Sequence, residues 1–200
     1  MSLQAPATLH LDLYRYWDAK RTGRAMPARR DVEPAELRTL LPFITLIDQV
    51  DGRLRYRLVG TAAAQEIGRD LTGRFVGSYV SPPDYAQAFV GICQRVITSG
   101  RPVFSTAEYR APSTVVHGAS RLMLPLGEDG TKAEMIIFTR ISRFARRANM
   151  DPDWLQGMHG RVCQVTELSS LQEVADHTAE WQRQCDMDGI GGMPKAAAAP

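Results

Sequence analysis

Two different hydrophobic periods alternate along the chain, and their order predicts most of its elements. From Thr8, a capping residue, Leu9, Leu13, Tyr16 and Trp17 recur at helical spacing, and Gly23 marks the expected stop. Asp31-Val-Glu-Pro-Ala-Glu-Leu37 predicts a second, short helix, with Pro34 suited to its first position and Pro42 limiting it. The period then changes to two. Phe43–Val50 is β-rich, Asp51-Gly52 is a hairpin signal, and Arg53–Gly60 alternates, with Leu54, Tyr56 and Leu58 on one face and Arg53, Arg55 and Arg57 on the other.

Residues 61–67 switch to helix formers ended by Gly68, and Gly73 and Gly77 punctuate the next stretch. Ser81 and Asp84 form a capping-box pattern ahead of a strong helical stripe, Tyr85, Phe89, Ile92, Cys93 and Val96, which Gly100 closes. Three strands are expected next: Pro102–Ala111, His117–Leu126 and Lys132–Ile141, the last two joined by Gly-Glu-Asp-Gly. Helix-start signals return at Asp151-Pro152 and at Ser169-Ser170, followed by Leu171, Val174, Thr178, Trp181 and Cys185. The order β-β-α-β-β-β, with a closing meander, predicts an α+β fold with an antiparallel sheet that packs helices on one face.

Composition narrows the class without naming a function. The 200 residues, 44% apolar and 23% charged, fit one medium domain with appendages. A net charge of +2 is too small to argue for nucleic acid. Cys93, Cys163 and Cys185 form no paired framework, which points to a reducing cytoplasm. The N-terminus lacks a signal-peptide pattern, and no apolar run approaches the roughly 20 residues that span a bilayer.

At Gly60, Ala62, Ala63, Ile67, Gly68 and Leu71-Thr72-Gly73 the chain resembles the PAS domain, a small sensory fold of five antiparallel strands with helices on one side. Pro82-Pro83-Asp84, Ser99-Gly100, Glu108, Arg110, Leu124-Pro125-Leu126 and Ile141-Ser142 extend the likeness. Tyr16-Trp17, Met26-Pro27-Ala28-Arg29, Glu33-Pro34, Leu40-Leu41-Pro42 and Tyr56-Arg57-Leu58-Val59-Gly60-Thr61 resemble a subfamily of small stand-alone bacterial PAS proteins, frequent among alphaproteobacteria. The general family often carries Asn where Gly60 stands.

The resemblance implies a pocket between the sheet and the helix of Phe89 and Cys93, with Arg57, Tyr109, His117, Arg121 and Met123 as further candidate lining. Gly60, Gly68, Asp70 and Gly73 are assigned to the structural motif, Asp70 as a cap on the next turn. Arg57 and Arg69 are the residues read as able to meet a ligand anion. No cofactor is required: a flavin-type reactive Cys motif is absent, and haem would have to rely on His117, which begins a strand next to Gly118. Cys93 reads as a small buried hydrophobe. His159 and Cys163 do not make a convincing metal pair, and no motif places an acid–base or nucleophile set.

Leu13, Tyr16, Trp17 and Trp181 supply more aromatic and apolar surface than their isolated helices can hide, so they are expected either to pair two chains or to dock on the open sheet face. The division expected is 1–30 N-terminal helix and basic loop, 31–142 PAS-like domain, 143–187 helical extension and 188–200 disordered tail. With no kinase, cyclase or DNA-binding module in view, the reading is a cytoplasmic, non-enzymatic sensor or adaptor, a homodimer with a separate signalling partner and a small-molecule ligand, without membrane or nucleic acid. The competing classes are a small enzyme on an α+β sheet and an Arg-led nucleic-acid binder.

Overall fold

A computed structural model describes residues 7–78, 83–110, 116–144 and 159–187. Its order is α1 (Leu9–Arg21), β1 (Ile44–Val50), β2 (Arg53–Val59), α2 (Thr61–Ile67), α3 (Pro83–Ser99), β3 (Val103–Arg110), β4 (Val116–Leu126), β5 (Met135–Phe144), β6 (His159–Glu167) and α4 (Leu171–Met187). The strands form one antiparallel sheet in the order β2-β1-β5-β4-β3-β6. The first five are those the sequence predicts, in keeping with the α+β class. The signals at Ser81 and Asp151-Pro152 and residues 188–200 lie outside the described residues.

Three features differ from expectation. Glu33–Leu41 is a series of hydrogen-bonded turns rather than an α-helix, including Leu37 N–H to Pro34 O at 3.2 Å and Leu40 N–H to Leu37 O at 2.8 Å. Pro34 and Pro42 leave too few residues between them to repay helix nucleation. The second is β6, which lies inside the segment expected to be a helical extension and pairs with β3 from Val103↔Glu167 to Arg110↔His159. Opposite Thr106 and Ala107 of β3 the register shifts, leaving Cys163 as an extra residue of β6, and this bulge lets Val162 and Val165, three residues apart, both pack toward the α3 face. That spacing looks helical in sequence although the backbone is extended. The third lies in β2: a register shift between Leu46 and Ile47 of β1 leaves Arg57 as an extra residue, so Leu58, expected on the face of Leu54 and Tyr56, is exposed and Val59 is buried instead.

The turn between β2 and α3 depends on small residues. A Cβ on Gly60 would sit 2.4 Å from the carbonyl oxygens of both Leu41 and Pro42, so the chain can leave β2 here only as glycine. The tie that Asn often supplies at this place in the wider family is made by backbone, Gly60 N–H to Ile44 O at 2.8 Å. Asp70 Oδ1 accepts from Thr72 N–H at 2.9 Å and Thr72 Oγ1 at 2.7 Å. Residues 73–76 then run beside β2, Tyr56 N–H donating to Arg74 O at 2.9 Å and Val76 N–H to Leu54 O at 2.8 Å, which covers that sheet edge.

The sheet is covered on both faces. α2 and α3 lie over one, with Ile47, Leu54, Tyr56, Phe89, Cys93, Met123, Ile136 and Phe138 in that core. α1 and α4 pack together over the other, against Phe104, Leu122, Leu124, Leu126 and Ile137. α1 therefore takes the second of the two fates open to it. Leu13, Trp17 and Trp181 are buried within the chain, and Trp17 Nε1 donates to Pro125 O at 2.7 Å. Tyr16 is half-buried, and its hydroxyl accepts from Glu33 N–H at 2.8 Å.

His10, in the first turn of α1, is wholly buried on this face. Its Nδ1 lies 2.8 Å from Thr139 Oγ1 and its Nε2 3.0 Å from Ser120 Oγ, with Phe104 meeting the ring edge-on. Both nitrogens are satisfied by hydroxyls, and no carboxylate among the described residues hydrogen-bonds the ring. Burial accordingly lowers its pKa from 6.5 to about 3.

Removing residues 1–22 uncovers the α1 face, and the expected result is loss of cooperative unfolding and aggregation, read by calorimetry and light scattering. For His10, the unfolded chain takes up a proton near pH 6.5 while the folded chain resists. Stability from this residue is thus full above pH 6.5 and is lost as pH falls through about 3, approaching about 5 kcal/mol in all. Denaturant titrations of wild type and His10→Asn should differ most at neutral pH and converge in acid.

Candidate functional site

On the α3 face, helical and strand periods converge on a sealed polar group. Tyr85, Phe89, Ile92, Cys93 and Val96 turn inward from α3. The pleat brings Ser105, Ala107 and Tyr109 of β3, Arg121 and Met123 of β4, and Phe138 and Arg140 of β5 toward them. Because Ser105 pairs with Arg121 and Arg121 with Arg140, these three side chains stand side by side across three strands.

Arg121 is the centre of the group. It is 4% exposed, and its Nη2 donates to the hydroxyls of both Tyr85 and Tyr109, which also hydrogen-bond each other. Its guanidinium carbon lies 5.2 Å from the Phe89 ring centre, 5.8 Å from that of Tyr85 and 6.0 Å from that of Tyr109. The neighbouring cation is treated differently: Arg140 pairs with Glu66 of α2 at 3.2 Å and lies 5.4 Å from the Tyr109 ring centre. Glu66 also accepts from Ser142 Oγ. Among the described residues, three buried donors on this face lack a hydrogen-bond partner: Nη1 of Arg121, Oγ of Ser105 and Nε of Arg140.

The electrostatics follow from this packing. Desolvation works against the charge on Arg121, but the phenolic oxygens of Tyr109 and Tyr85 outweigh it and hold the pKa above the ordinary value. Tyr56 and Tyr85 are pushed up by burial. In Tyr109 burial is opposed and overcome by the Arg121 and Arg140 guanidiniums, which draw its phenol below 10. Burial pushes the Cys93 thiol up to about 12, and its side chain packs wholly buried in the core under α3.

Of the candidate lining residues, Phe89, Cys93, Tyr109, Arg121 and Met123 come together here. Arg57 does not: it is exposed on the far strand and ion-paired to Asp48 at 3.6 Å, beside the bidentate Arg55–Asp48 pair at 2.7 and 3.1 Å. An Arg on the polar face of an edge strand points to water, and the pleat places it opposite Leu54 and Tyr56. The His117 side chain lies outside the described residues. Sequence reasoning missed Tyr56, Tyr85, Ser105 and Arg140. Tyr85 and Tyr56 stood in stripes already read as core, and their hydroxyls were the overlooked signal, since a buried phenol calls for a partner. Gly160 of β6 was also missed: a Cβ there would come within 2.8 Å of the Tyr85 ring and 3.2 Å of Tyr109, so β6 forms a close wall of the cluster.

The sequence profile of the PAS domain matches residues 5–138, two thirds of the chain. The chain belongs to the PAS domain family. The match takes in α1 and the α3 face, whereas β6 and α4 lie beyond it. No curated protein matches. Among solved structures, similarity extends to the Vibrio cholera VqmA–ligand–DNA complex, with 14% identity, a TM-score of 0.42 and coverage of 82% of this chain and 91% of that one. VqmA bound to DPO gives 14% and 0.42, with 80% and 90% covered. At this distance neither carries weight for function.

In an alkaline titration followed by tyrosine absorption, Tyr109 should ionise first, below pH 10, and this early component should disappear in Tyr109→Phe. Tyr56 and Tyr85 stabilise the fold below pH 10 and should ionise only as it is lost at higher pH. Ionisation of all three together near pH 10 would contradict the packing described.

Proposed function

We propose that this PAS protein is a non-catalytic sensory or regulatory module that binds a small molecule on the α3 face of its sheet. The observation that carries the reading is the Arg121–Tyr85–Tyr109 group: directional donors held in a dry, aromatic surround, the arrangement by which pockets fix a ligand's orientation. Catalysis is less well supported, because the buried thiol of Cys93 is held in its protonated form and Arg121 stays charged.

Transmission runs through the connections of the wall. Tyr85 presses on Gly160 in β6, Arg95 of α3 pairs with Glu167 at the end of β6 at 2.8 Å, and Leu168 N–H donates to Pro102 O at 2.8 Å before α4 begins. α4 starts on a firm cap, Ser169 N–H and Oγ donating to Glu173 at 2.8 and 2.7 Å. A ligand that moves α3 against β6 thereby biases the packing of α4 against α1 on the opposite face, a population shift that a separate signalling protein can read. Homodimerisation, a cytoplasmic site of action and kinship with the small bacterial PAS subfamily belong to the same proposal. With Leu13, Trp17 and Trp181 buried inside the chain, any dimer contact uses another surface.

Native mass spectrometry of gently purified full chain is the test, followed by denaturation to release what was bound. A small molecule released with the wild type and not with Phe89→Trp, which fills the α3 face, is the expected result. A bare chain mass, together with no stabilisation by any member of a broad metabolite set, would count against the sensory reading and favour an adaptor.

A further inference from the structure

Among the described residues, the charges on the α3 face do not balance. Arg121 and Arg140 stand directly opposite each other on β4 and β5, an arrangement that like charges disfavour. Glu66 pairs with Arg140. Arg121, by contrast, has tyrosine hydroxyls as its hydrogen-bond partners among the described residues, and a guanidinium cannot relieve the strain by losing its proton. Leaving an ionised group buried and unpaired costs several kcal/mol or more, so a cation kept in such a place calls for a counter-ion.

The unused donors show where it would sit. Among the described residues, Nη1 of Arg121 is buried without a hydrogen-bond partner, and so is Oγ of Ser105, which is wholly buried. The two residues are register partners on adjacent antiparallel strands, which sets their Cβ atoms about 5 Å apart on one face. A guanidinium edge next to a hydroxyl is a match for the two oxygens of one carboxylate. Phe89, Phe138, Met123 and Tyr56 surround it with apolar and aromatic surface suited to an organic body.

Resting on the reading of this face as a small-molecule site, we propose that its ligand is a small organic acid, its carboxylate held by Arg121 Nη1 and Ser105 Oγ and its apolar body packed beneath α3. Neither Arg57 nor Arg69, the residues that sequence singled out for an anion, takes this role. One carboxylate brings the buried charge to balance while Tyr109 stays neutral.

The test is thermal and denaturant stability of the full chain with acetate, propionate and benzoate, each against its neutral amide, and with chloride as a control anion. Each acid that binds should raise the melting temperature saturably and more than its amide or chloride. In Arg121→Met this preference for the acid should vanish. In Ser105→Ala, a mild change, the acid's affinity should fall about tenfold or more. Arg121→Met without additive should be more stable than the wild type, because it removes an uncompensated buried charge.

Equal responses to acid and amide, retained in Arg121→Met, would overturn the acid assignment and leave the small-molecule reading in place. No response to any probe, with Arg121→Met less stable than the wild type, would make Arg121 a structural strut and overturn the proposal. A tyrosinate band at neutral pH that is lost in Tyr109→Phe would also overturn it, since the charge would then be balanced within the protein.

Discussion

A guanidinium that has given up its water must recover hydrogen bonds and a counter-charge from its surroundings, and the α3 side of this protein is arranged around that demand. Arg121 draws Tyr85 from the first turn of α3 and Tyr109 from β3 onto one nitrogen, which fixes where α3 begins relative to the sheet. Gly160 stays without a side chain so that β6 can close against the two rings. Glu66 comes from α2 to serve the neighbouring Arg140. Four elements are thus positioned by two cations on adjacent strands.

The same strands solve the opposite problem on their other face. The pleat that sends Arg121 and Arg140 toward α3 sends Ser120 and Thr139 toward α1, where they satisfy His10 at 3.0 and 2.8 Å. There the buried titratable group is kept neutral and both of its nitrogens are used, as a permanent structural contact requires. On the α3 face the group is kept charged and one of its nitrogens is left over. One face holds its helices by closing every hydrogen bond of its buried histidine; the other retains donors for something further. β6 and α4 join the two faces in sequence, which gives a binding event on one side a mechanical path to the other.

Much of this frame was legible in the chain. The stripe from Tyr85 to Val96 and the glycines from Gly60 to Gly73 each reflect a local physical demand, so pattern and structure agree there. The alternation read over Arg53–Val59 holds only as far as Tyr56, because the register shift opposite Leu46 and Ile47 turns Leu58 outward and Val59 inward. β6 escaped because its bulge sets Val162 and Val165 three apart on one face, a spacing that belongs to helices. The fate of α1 was undecided because an apolar helical stripe reads alike whether it meets its own sheet or a second chain. In the candidate site, Phe89, Cys93, Tyr109, Arg121 and Met123 were named, but β4 is apolar on both sides, so alternation could not say which way Arg121 points. A single cation within that run was the available signal. Arg57 drew attention instead because it sits beside a recognisable motif, yet an edge-strand arginine facing water needs no ligand.

Whether Arg121 is a ligand's counter-ion or a structural strut is decided most directly by a crystal structure of the full chain grown with benzoate. A counter-ion role predicts carboxylate oxygens within hydrogen-bond distance of Arg121 Nη1 and Ser105 Oγ, with the ring under α3 beside Phe89. Arg121 paired instead with a carboxylate of the chain itself, with no acid on the α3 face, would contradict it.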